Sequence, residues 1–370
     1  MTLRTRRILF FFLLVVFLVL APLIVVYSLG LTINFKTKAL EQTGSIFIKS
    51  KTPQISVFLN GALTKETSFF SGSALLTGIA PGAYLIRIEK AGYQPWSRIM
   101  TVSPSLVTEL RSILLLQNRI DIATSSSLEL DMLKNATSSP IKTRLTLTKQ
   151  GVLSERTGKT KLTLASHVRA FDVVNGRIYA ITSNGELQRI NPVSGETEIL
   201  DNPVLPLAPP AAGPSVSFLG SPNGDVALLD GAGNLFLYQN EQAAFATLGR
   251  TNIQHPHFDL IGEKILFTKG QELRVLWLED NRYQPFQKKW TEEQILRLSS
   301  PIRDAAWWYG DNAHIAVHTN DGIFLTELDG RGGRSTVEIY PHPVDEILTI
   351  PDAPNAIFFR QGKTWHTITL

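Results

Sequence analysis

A run of 22 residues without a charge, ILFFFLLVVFLVLAPLIVVYSL from Ile8 to Leu29, constrains this chain more than any other stretch. Eighteen of its positions are Leu, Ile, Val or Phe. An α-helix needs about 20 apolar residues to cross the hydrocarbon core of a bilayer, so the run predicts a membrane-spanning helix over residues 8–31. Pro22 is tolerated in such a helix. A secretory signal core is shorter, about 7–15 residues, and precedes a small-residue cleavage site. No Ala-x-Ala follows here, and Ser28 and Gly30 are a weak substitute. The run reads as an uncleaved signal anchor, with a cleaved signal peptide as the alternative. Arg4, Arg6 and Arg7 precede it, whereas Lys36 and Lys38 beyond it are partly balanced by Glu41. The positive-inside rule then places residues 1–7 in the cytoplasm and everything from about Thr32 onward outside, as a single-pass cell-membrane protein whose first partner is the lipid bilayer.

The formal charge of +4 and the pI of 9.2 invite a nucleic-acid reading, but three of those charges are the N-terminal arginines, which leaves +1 for the rest. That remainder has no Lys/Arg stripe, and phosphate contacts need clustered positive charge, so no nucleic-acid partner is expected. The chain has no cysteine, which removes disulfides, thiolate nucleophiles and cysteine metal sites.

Residues 32–43 are short and polar and read as a stalk. From about Gly44 to residue 117 the pattern alternates apolar and polar with turn signals between segments. In GSIFIKS, Ile46 and Ile48 share a face. In ISVFLNG, Ile55, Val57 and Leu59 share a face and lead into Asn60-Gly61, a strong hairpin pair. In PGAYLIRIEKAGYQPW, Pro81 presets φ and Gly82 supplies a tight turn; Tyr84, Ile86 and Ile88 share a face. Gly92 permits a sharp exit, and Tyr93 and Trp96 plug a thin core with large apolar area. About six strands in this stretch predict a small antiparallel β-sandwich. Gly61, Pro81, Gly82, Tyr84, Gly92 and Tyr93 give this segment a pattern that resembles the PEGA domain family. It departs from that family where ALTKETSFFSGS replaces the usual Gly-x-x-Pro element after the second strand. The resemblance covers about a fifth of the chain and implies a β-sandwich of extracytoplasmic, surface-associated proteins, with no catalytic residues to carry over.

Residues 118–141 are Ser/Thr-rich and read as a linker, with one helical turn expected near Leu128–Leu133. Residues 142–370 show a loose repeat of strand, Gly turn, strand and polar tail. The turn glycines are Gly151, Gly185, Gly233, Gly270, Gly322 and Gly362, spaced 34, 48, 37, 52 and 40 apart. Repeats of about 40–50 residues with four short strands each are the signature of propeller blades, so about six blades are expected. The last unit is short, and ring closure is expected to borrow a strand from near Lys142–Leu147. SPNGDVALL (Ser221 to Leu229) and HIAVHTNDGIFLTELDG are similar to WD40-like or TolB-type blades, although no Gly-His or Trp-Asp dipeptide recurs. A pair of other β-sandwiches is the competing fold. Two insertions interrupt the repeat: a loop with five prolines from Asp201 to Ser215, and KKWTEEQILRL (Lys288 to Leu298). In the second, the Thr291 N-cap, acidic first turn and Ile295, Leu296 and Leu298 predict a short amphipathic helix.

Few residues carry a chemical signal. His255 and His257 are two apart and His314 and His318 four apart; two-apart residues share a face in a strand, but no carboxylate or third histidine stands at ligand spacing. They read as ordinary loop or barrel histidines, with no metal or cofactor expected. Asp304, Asp311 and Asp321 sit at turns or strand ends, where Asp caps amides; glycosidase chemistry would need two carboxylates about 5–9 Å apart. Of Trp307 and Trp308, adjacent in a strand, at most one is expected to offer a stacking platform to a ligand, the other being core. GRGGR (Gly330 to Arg334) reads as a hairpin turn because no helix follows it. Asn135-Ala-Thr is a glycosylation sequon.

The sequence thus describes an all-β protein with one N-terminal transmembrane helix, a PEGA-like sandwich and a propeller. The expected role is non-enzymatic: an extracytoplasmic binding or scaffold protein of the cell envelope, its propeller recognising envelope polysaccharide or a surface protein. A propeller-type glycan hydrolase or lyase is the alternative from another class, and a ligand-binding sensor ectodomain a third. Loops on a rigid scaffold are where binding groups concentrate.

Overall fold

The apolar run forms helix α1 (Leu3–Ser28), 26 residues with Pro22 inside it, about 39 Å long at 1.5 Å per residue. The window Arg4–Pro22 has a mean hydropathy of 2.1 and none of it is buried, so its apolar surface has no protein partner among the described residues. The structure is a computed structural model and describes residues 3–28, 30–34, 39–126, 141–200, 205 and 216–370. Gly30, at φ +65°, stands just past the helix, the left-handed position at which helices commonly end.

The chain divides into two units, the first Met1–Arg119 with Tyr283–Pro285 and Arg331–Gly333, the second Ile120–Arg282, Phe286–Gly330 and Arg334–Leu370. In the first, the expected stalk is a hairpin of β1 (Leu31–Asn34) and β2 (Ala39–Gln42), paired from Leu31↔Gln42 to Asn34↔Ala39. After it come β3 (Gly44–Ser50), β4 (Ser56–Leu59), β5 (Ala62–Glu66), β6 (Ser73–Ile79), β7 (Gly82–Glu89), β8 (Trp96–Val102) and β9 (Val107–Ile113). They form two sheets, β6-β3-β9 and β5-β4-β7-β8. The expected all-antiparallel pairing holds except at β3 and β9, which run parallel. Alternation is read directly in burial: along β8, Trp96, Arg98, Met100 and Val102 point inward and the residues between them outward. Ile46, Ile48, Val57, Ile86, Ile88, Trp96, Met100 and Leu110 from both sheets meet in one core.

The second unit opens with β10 (Ile122–Ser125), inside the stretch expected to be a linker. Residues 127–140, with the expected helical turn and the Asn135 sequon, lie outside the described residues. Next come β11 (Leu145–Leu147), β12 (Leu153–Thr157) and β13 (Thr160–Ala165) in one three-stranded sheet. Four sheets of four consecutive antiparallel strands follow. They are β14 (Val168–Val174), β15 (Arg177–Thr182), β16 (Leu187–Ile190) and β17 (Thr197–Leu200); β18 (Val216–Gly220), β19 (Val226–Asp230), β20 (Leu235–Gln239) and β21 (Ala244–Arg250); β22 (Gln254–Phe258), β23 (Lys264–Lys269), β24 (Glu272–Trp277) and β25 (Glu292–Arg297); and β26 (Asp304–Trp308), β27 (His314–His318), β28 (Ile323–Glu327) and β29 (Thr336–Tyr340). The last sheet joins β30 (Glu346–Leu348), β31 (Ala356–Gln361) and β32 (Thr364–Thr369) to β10, which pairs along β32 from Ile122↔Ile368 to Ser125↔Trp365. The closing strand is therefore Ile122–Ser125 and not Lys142–Leu147; Leu145–Leu147 pairs with β12 instead.

These meanders are consistent with a β-propeller, and the packing says why. The first strands meet in series, β14 with β18, β18 with β22, β22 with β26 and β26 with β30. Each core lies between neighbouring sheets. Val226, Leu228 and Tyr238 pack with Tyr179, Ile181 and Leu187 of the preceding sheet, while Ala227, Leu235 and Leu237 pack with Ile265, Phe267 and Leu276 of the following one. A sheet covered on both faces has no polar side, which is why β27 is buried at all five positions instead of alternating. The repeat glycines all sit in turns with positive φ. The carbonyls of Gly151, Gly185, Gly233 and Gly270 accept hydrogen bonds of 2.8–3.1 Å from the amides of Val168, Leu205, Ile253 and Ile302, each on the approach to the next sheet. The turn therefore fixes where the next sheet begins.

The helix expected over Lys288–Leu298 is absent, and Glu292–Arg297 is the outer strand of its sheet. A helix of this length is marginal on its own, whereas β25 gains a ladder with β24, buries Ile295 and places Glu292 on Arg274 at 2.5 Å. The Pro-rich stretch Asp201–Ser215 lies outside the described residues except for Leu205, which is buried.

Candidate functional site

The turn residues of the first unit sit where their chemistry requires. Asn60 and Gly61 both have positive φ, +48° and +86°, in the turn between β4 and β5. Pro81 and Gly82 make the turn from β6 to β7, and the Tyr84 hydroxyl donates to Ala80 O at 2.9 Å, bracing it. Gly92, at φ +85°, turns the chain from β7 to β8. Tyr93 packs on the core and Trp96 lies within it, with the Arg98 guanidinium 4.9 Å from its ring. All of these groups are spent on packing and turns.

In the second unit, the two tryptophans are not a platform. Trp307 and Trp308 are both 0% exposed, because β26 is covered on both faces. Trp307 donates its indole N–H to His257 O at 3.1 Å, and Trp308 meets His314 edge-on. The sequence left room for at most one of these rings to face a ligand; the structure corrects this, since neither has a free face. Asp311 stands apart from Asp304, whereas Asp321 lies in the β27–β28 turn at the Asp304 end of the sheet. Asp311 accepts from Ala313 N and sits 2.7 Å from His314 Nδ1 in the turn after β26, at the opposite end of the strand from Asp304.

The structure does assemble a group that spacing alone concealed. Asp304 Oδ1 lies 3.5 Å from His255 Nδ1 and 3.9 Å from His257 Nε2. The histidines are on β22 and the aspartate on β26, first strands of successive sheets that pack together. The side chains of His255, His257 and Asp304 remain 45%, 44% and 27% exposed. His255 has φ +49° and sits in a bulge between Gln254 and His257. A non-glycine residue in that region is uncommon and is strained unless its surroundings hold it, and the bulge re-aims its ring. Asp304 is oriented by Ala305 N, 2.8 Å from Oδ1. Beside it, Arg303 Nε donates to Asn320 Oδ1 at 2.5 Å. His318, opposite Asp304 in the ladder, is buried with Nε2 3.0 Å from Val344 O; burial holds its pKa below the usual histidine value.

Two imidazoles, a carboxylate, a guanidinium and an amide thus line one end of two adjoining sheets. Such a set offers donors and acceptors to hydroxyl and carboxylate groups. Among the described residues no three His, Cys, Asp or Glu side chains are placed to hold a metal ion. The sequence signal for the site was His-Pro-His with two-residue spacing in a strand; its carboxylate is 47 residues beyond His257 and had no local mark. Elsewhere in the unit a recess of about 440 Å³ is lined by Arg177, Arg189, Asn191, Glu196 and Glu198. There Arg189 is tied to Glu198 at 2.6 Å and to Asn240 at 3.0 Å, so its charge is already paired.

No family model matches the chain, and no curated protein matches it. Among solved structures, it is similar to YCF48 from Cyanidioschyzon merolae, with 10% identity, a TM-score of 0.39, and 89% of this chain and 96% of that one covered. A structure titled "YCF48 bound to D1 peptide" aligns at 13% identity and a TM-score of 0.38 over 90% and 97% of the two chains. A putative gluconolactonase aligns at 11% and 0.32 over 62% and 82%. These are distant likenesses, and the propeller-like arrangement rests on the sheets and cores of this chain.

Proposed function

We propose that this chain is a membrane-anchored binding protein of the cell envelope, with α1 spanning the bilayer, the N-terminus cytoplasmic and both β units outside. The first unit is a PEGA-like sandwich. The second is a propeller of six blades, the last closed by β10 from the start of the unit. The recognition site is the His255–His257–Asp304 group with Arg303 and Asn320, and its ligand is an envelope polysaccharide or a surface protein presenting hydroxyl and carboxylate groups. The observation that carries this reading is the convergence of partly exposed polar side chains from two sheets beside one strained, bulged strand. Rigid placement of polar groups favours binding because little ordering entropy is lost on association.

The test mixes the detergent-solubilised full chain with peptidoglycan sacculi, surface polysaccharide and surface-layer protein in separate pelleting assays. Retention on one fraction supports the reading and names the ligand class. Release of soluble sugar replaces it with the hydrolase or lyase reading. Absence of both retention and release refutes direct envelope binding.

A further inference from the structure

The segment expected to act as a stalk does not hold the first unit away from the helix. β1 and β2 fold back on each other, and both the Thr43 amide and the Thr43 hydroxyl donate to Gly30 O at 2.7 Å. Thr43 is 13 residues beyond Gly30 in the chain, yet it lies beside the glycine that ends the helix. β3 begins at the next residue. The β8–β9 loop closes over the same point: Ser105 N donates to Thr43 O at 3.1 Å, Ser105 Oγ to Gln42 Oε1 at 2.7 Å, and Ser45 N to Leu106 O at 3.0 Å. Ser105 is held at φ +58°. A Cβ on Gly44 would lie 2.4 Å from Ser103 O, so only glycine allows this approach. Two neighbour-to-neighbour steps separate Gly30 from Ser105, about 10 Å at the spacing of paired strands. That is close to the depth of one headgroup layer, about 5–8 Å.

The turns at the two ends of the unit also differ in charge. At the end beside Gly30, where Gly44 pairs with Ile79 and Gly82 with Val102, the turns are Ala80–Ala83 and Ser103–Val107. Neither turn carries a charge of its own, although Glu41 on β2 and Arg331, which lines a recess with Ser103, Leu106 and Val107, border this end. Leu106 and Val107 are 60% and 42% exposed. At the other end, where Ser50 N meets Gly72 O, the turns carry Lys51 and Lys90. That end also holds Phe69 and Phe70, the latter 93% exposed. β3, with seven residues, separates the two ends by about 20 Å.

We propose that the first unit stands directly on the leaflet from which α1 emerges, with the Ser103–Val107 loop in the headgroup–acyl boundary and Leu106 inserted among the lipids. The end whose β6–β7 and β8–β9 turns carry no charge is the membrane-facing one, and the Phe69–Phe70 loop is held clear of the bilayer. This rests on the membrane-anchor reading above.

The absence of cysteine makes single labels unambiguous. Leu106→Cys, Ala83→Cys and Phe70→Cys variants of the full chain, each carrying an environment-sensitive fluorophore, are reconstituted into vesicles containing a lipid quencher at a shallow acyl position. The expected result is quenching at 106 and 83 several-fold stronger than at 70. Equal quenching at all three positions, or none at 106 and 83 in protein that floats with the vesicles, overturns the proposal while leaving the anchor intact. Probe–probe self-quenching at 106 without lipid quenching means that a second copy covers this end, and overturns it too. Protein that fails to float with vesicles overturns the anchor reading itself.

Discussion

Gly233 and Gly270 occupy the same turn in successive sheets, and together they separate two costs of adding a side chain. Both have positive φ, +78° and +62°. Both carbonyls accept from the amide that approaches the next sheet, Ile253 and Ile302 respectively. Alanine at Gly270 meets nothing within 4 Å, so its cost is the left-handed backbone alone, about 1–2 kcal/mol. Alanine at Gly233 sets a Cβ 2.9 Å from Ile253 N and 3.0 Å from Ile253 O and Asn252 Cα. Those are backbone atoms, so the segment must shift, stretching the Ile253 hydrogen bond and disturbing a side chain buried in the core between two sheets. The added cost is about 1–2 kcal/mol, for a total of roughly 2–4 kcal/mol. For a unit of this size each kcal/mol moves Tm by about 2–4 °C, so Gly233→Ala lowers it by about 4–16 °C and Gly270→Ala by about 2–8 °C. Tryptophan fluorescence is the suitable probe in a thermal melt, because five of the six tryptophans lie in the second unit and only Trp96 in the first. Equal shifts for the two variants, or a Gly233→Ala protein as stable as the wild type, would refute the idea that these turns set the approach to the next sheet.

Three further outcomes follow from the same structure. His318 is held neutral by burial, with its folded pKa below the ordinary 6.5; the unfolded chain then binds the proton more readily as pH drops. Stability is therefore full above about pH 6.5 and falls below it until the folded pKa is passed, and His318→Gln removes that slope in melts run across the window. Lys264 is a buried cation, 2.6 Å from the buried Asp259 and near the Trp277 and Trp307 rings. Asp259→Ala leaves that charge unpaired and costs about 3–5 kcal/mol in denaturant unfolding, whereas the double change Asp259→Leu with Lys264→Met costs less. Val193, 91% exposed, becomes a topology reporter as Val193→Cys: a membrane-impermeant maleimide labels it in intact cells if the second unit is outside, and only after lysis if it is inside.

What the sequence revealed follows from how local each signal was. The repeat glycines were readable because a positive-φ turn selects glycine at that one position, whatever the sheet does later. Helix α1 was readable because an all-apolar run needs no partner to declare itself. Residues 292–297 misled because Thr291-Glu-Glu looks like a capped helix start; the ladder to β24 decides the outcome, and it is tertiary. Ile122–Ser125 looked like linker because only its partner β32, more than 230 residues away, makes it a strand. Trp307 and Trp308 were expected to divide between core and surface on the premise of a sheet with one wet face; β26 has none. The His255–His257–Asp304 group was hidden for the same reason as the closing strand, since its members come from separate sheets.

The most direct test of the central claim is binding by site variants of the full chain to whichever envelope fraction retains the wild type. His257→Ala and Asp304→Asn alter half-exposed groups of the cluster, while Arg189→Ala alters the separate recess on the β14–β17 sheet. The account predicts that the first two lose retention at least tenfold, corresponding to about 1.4 kcal/mol or more, while Arg189→Ala binds as the wild type does. Undiminished retention by His257→Ala and Asp304→Asn, in protein that melts normally, would contradict the assignment of the recognition site.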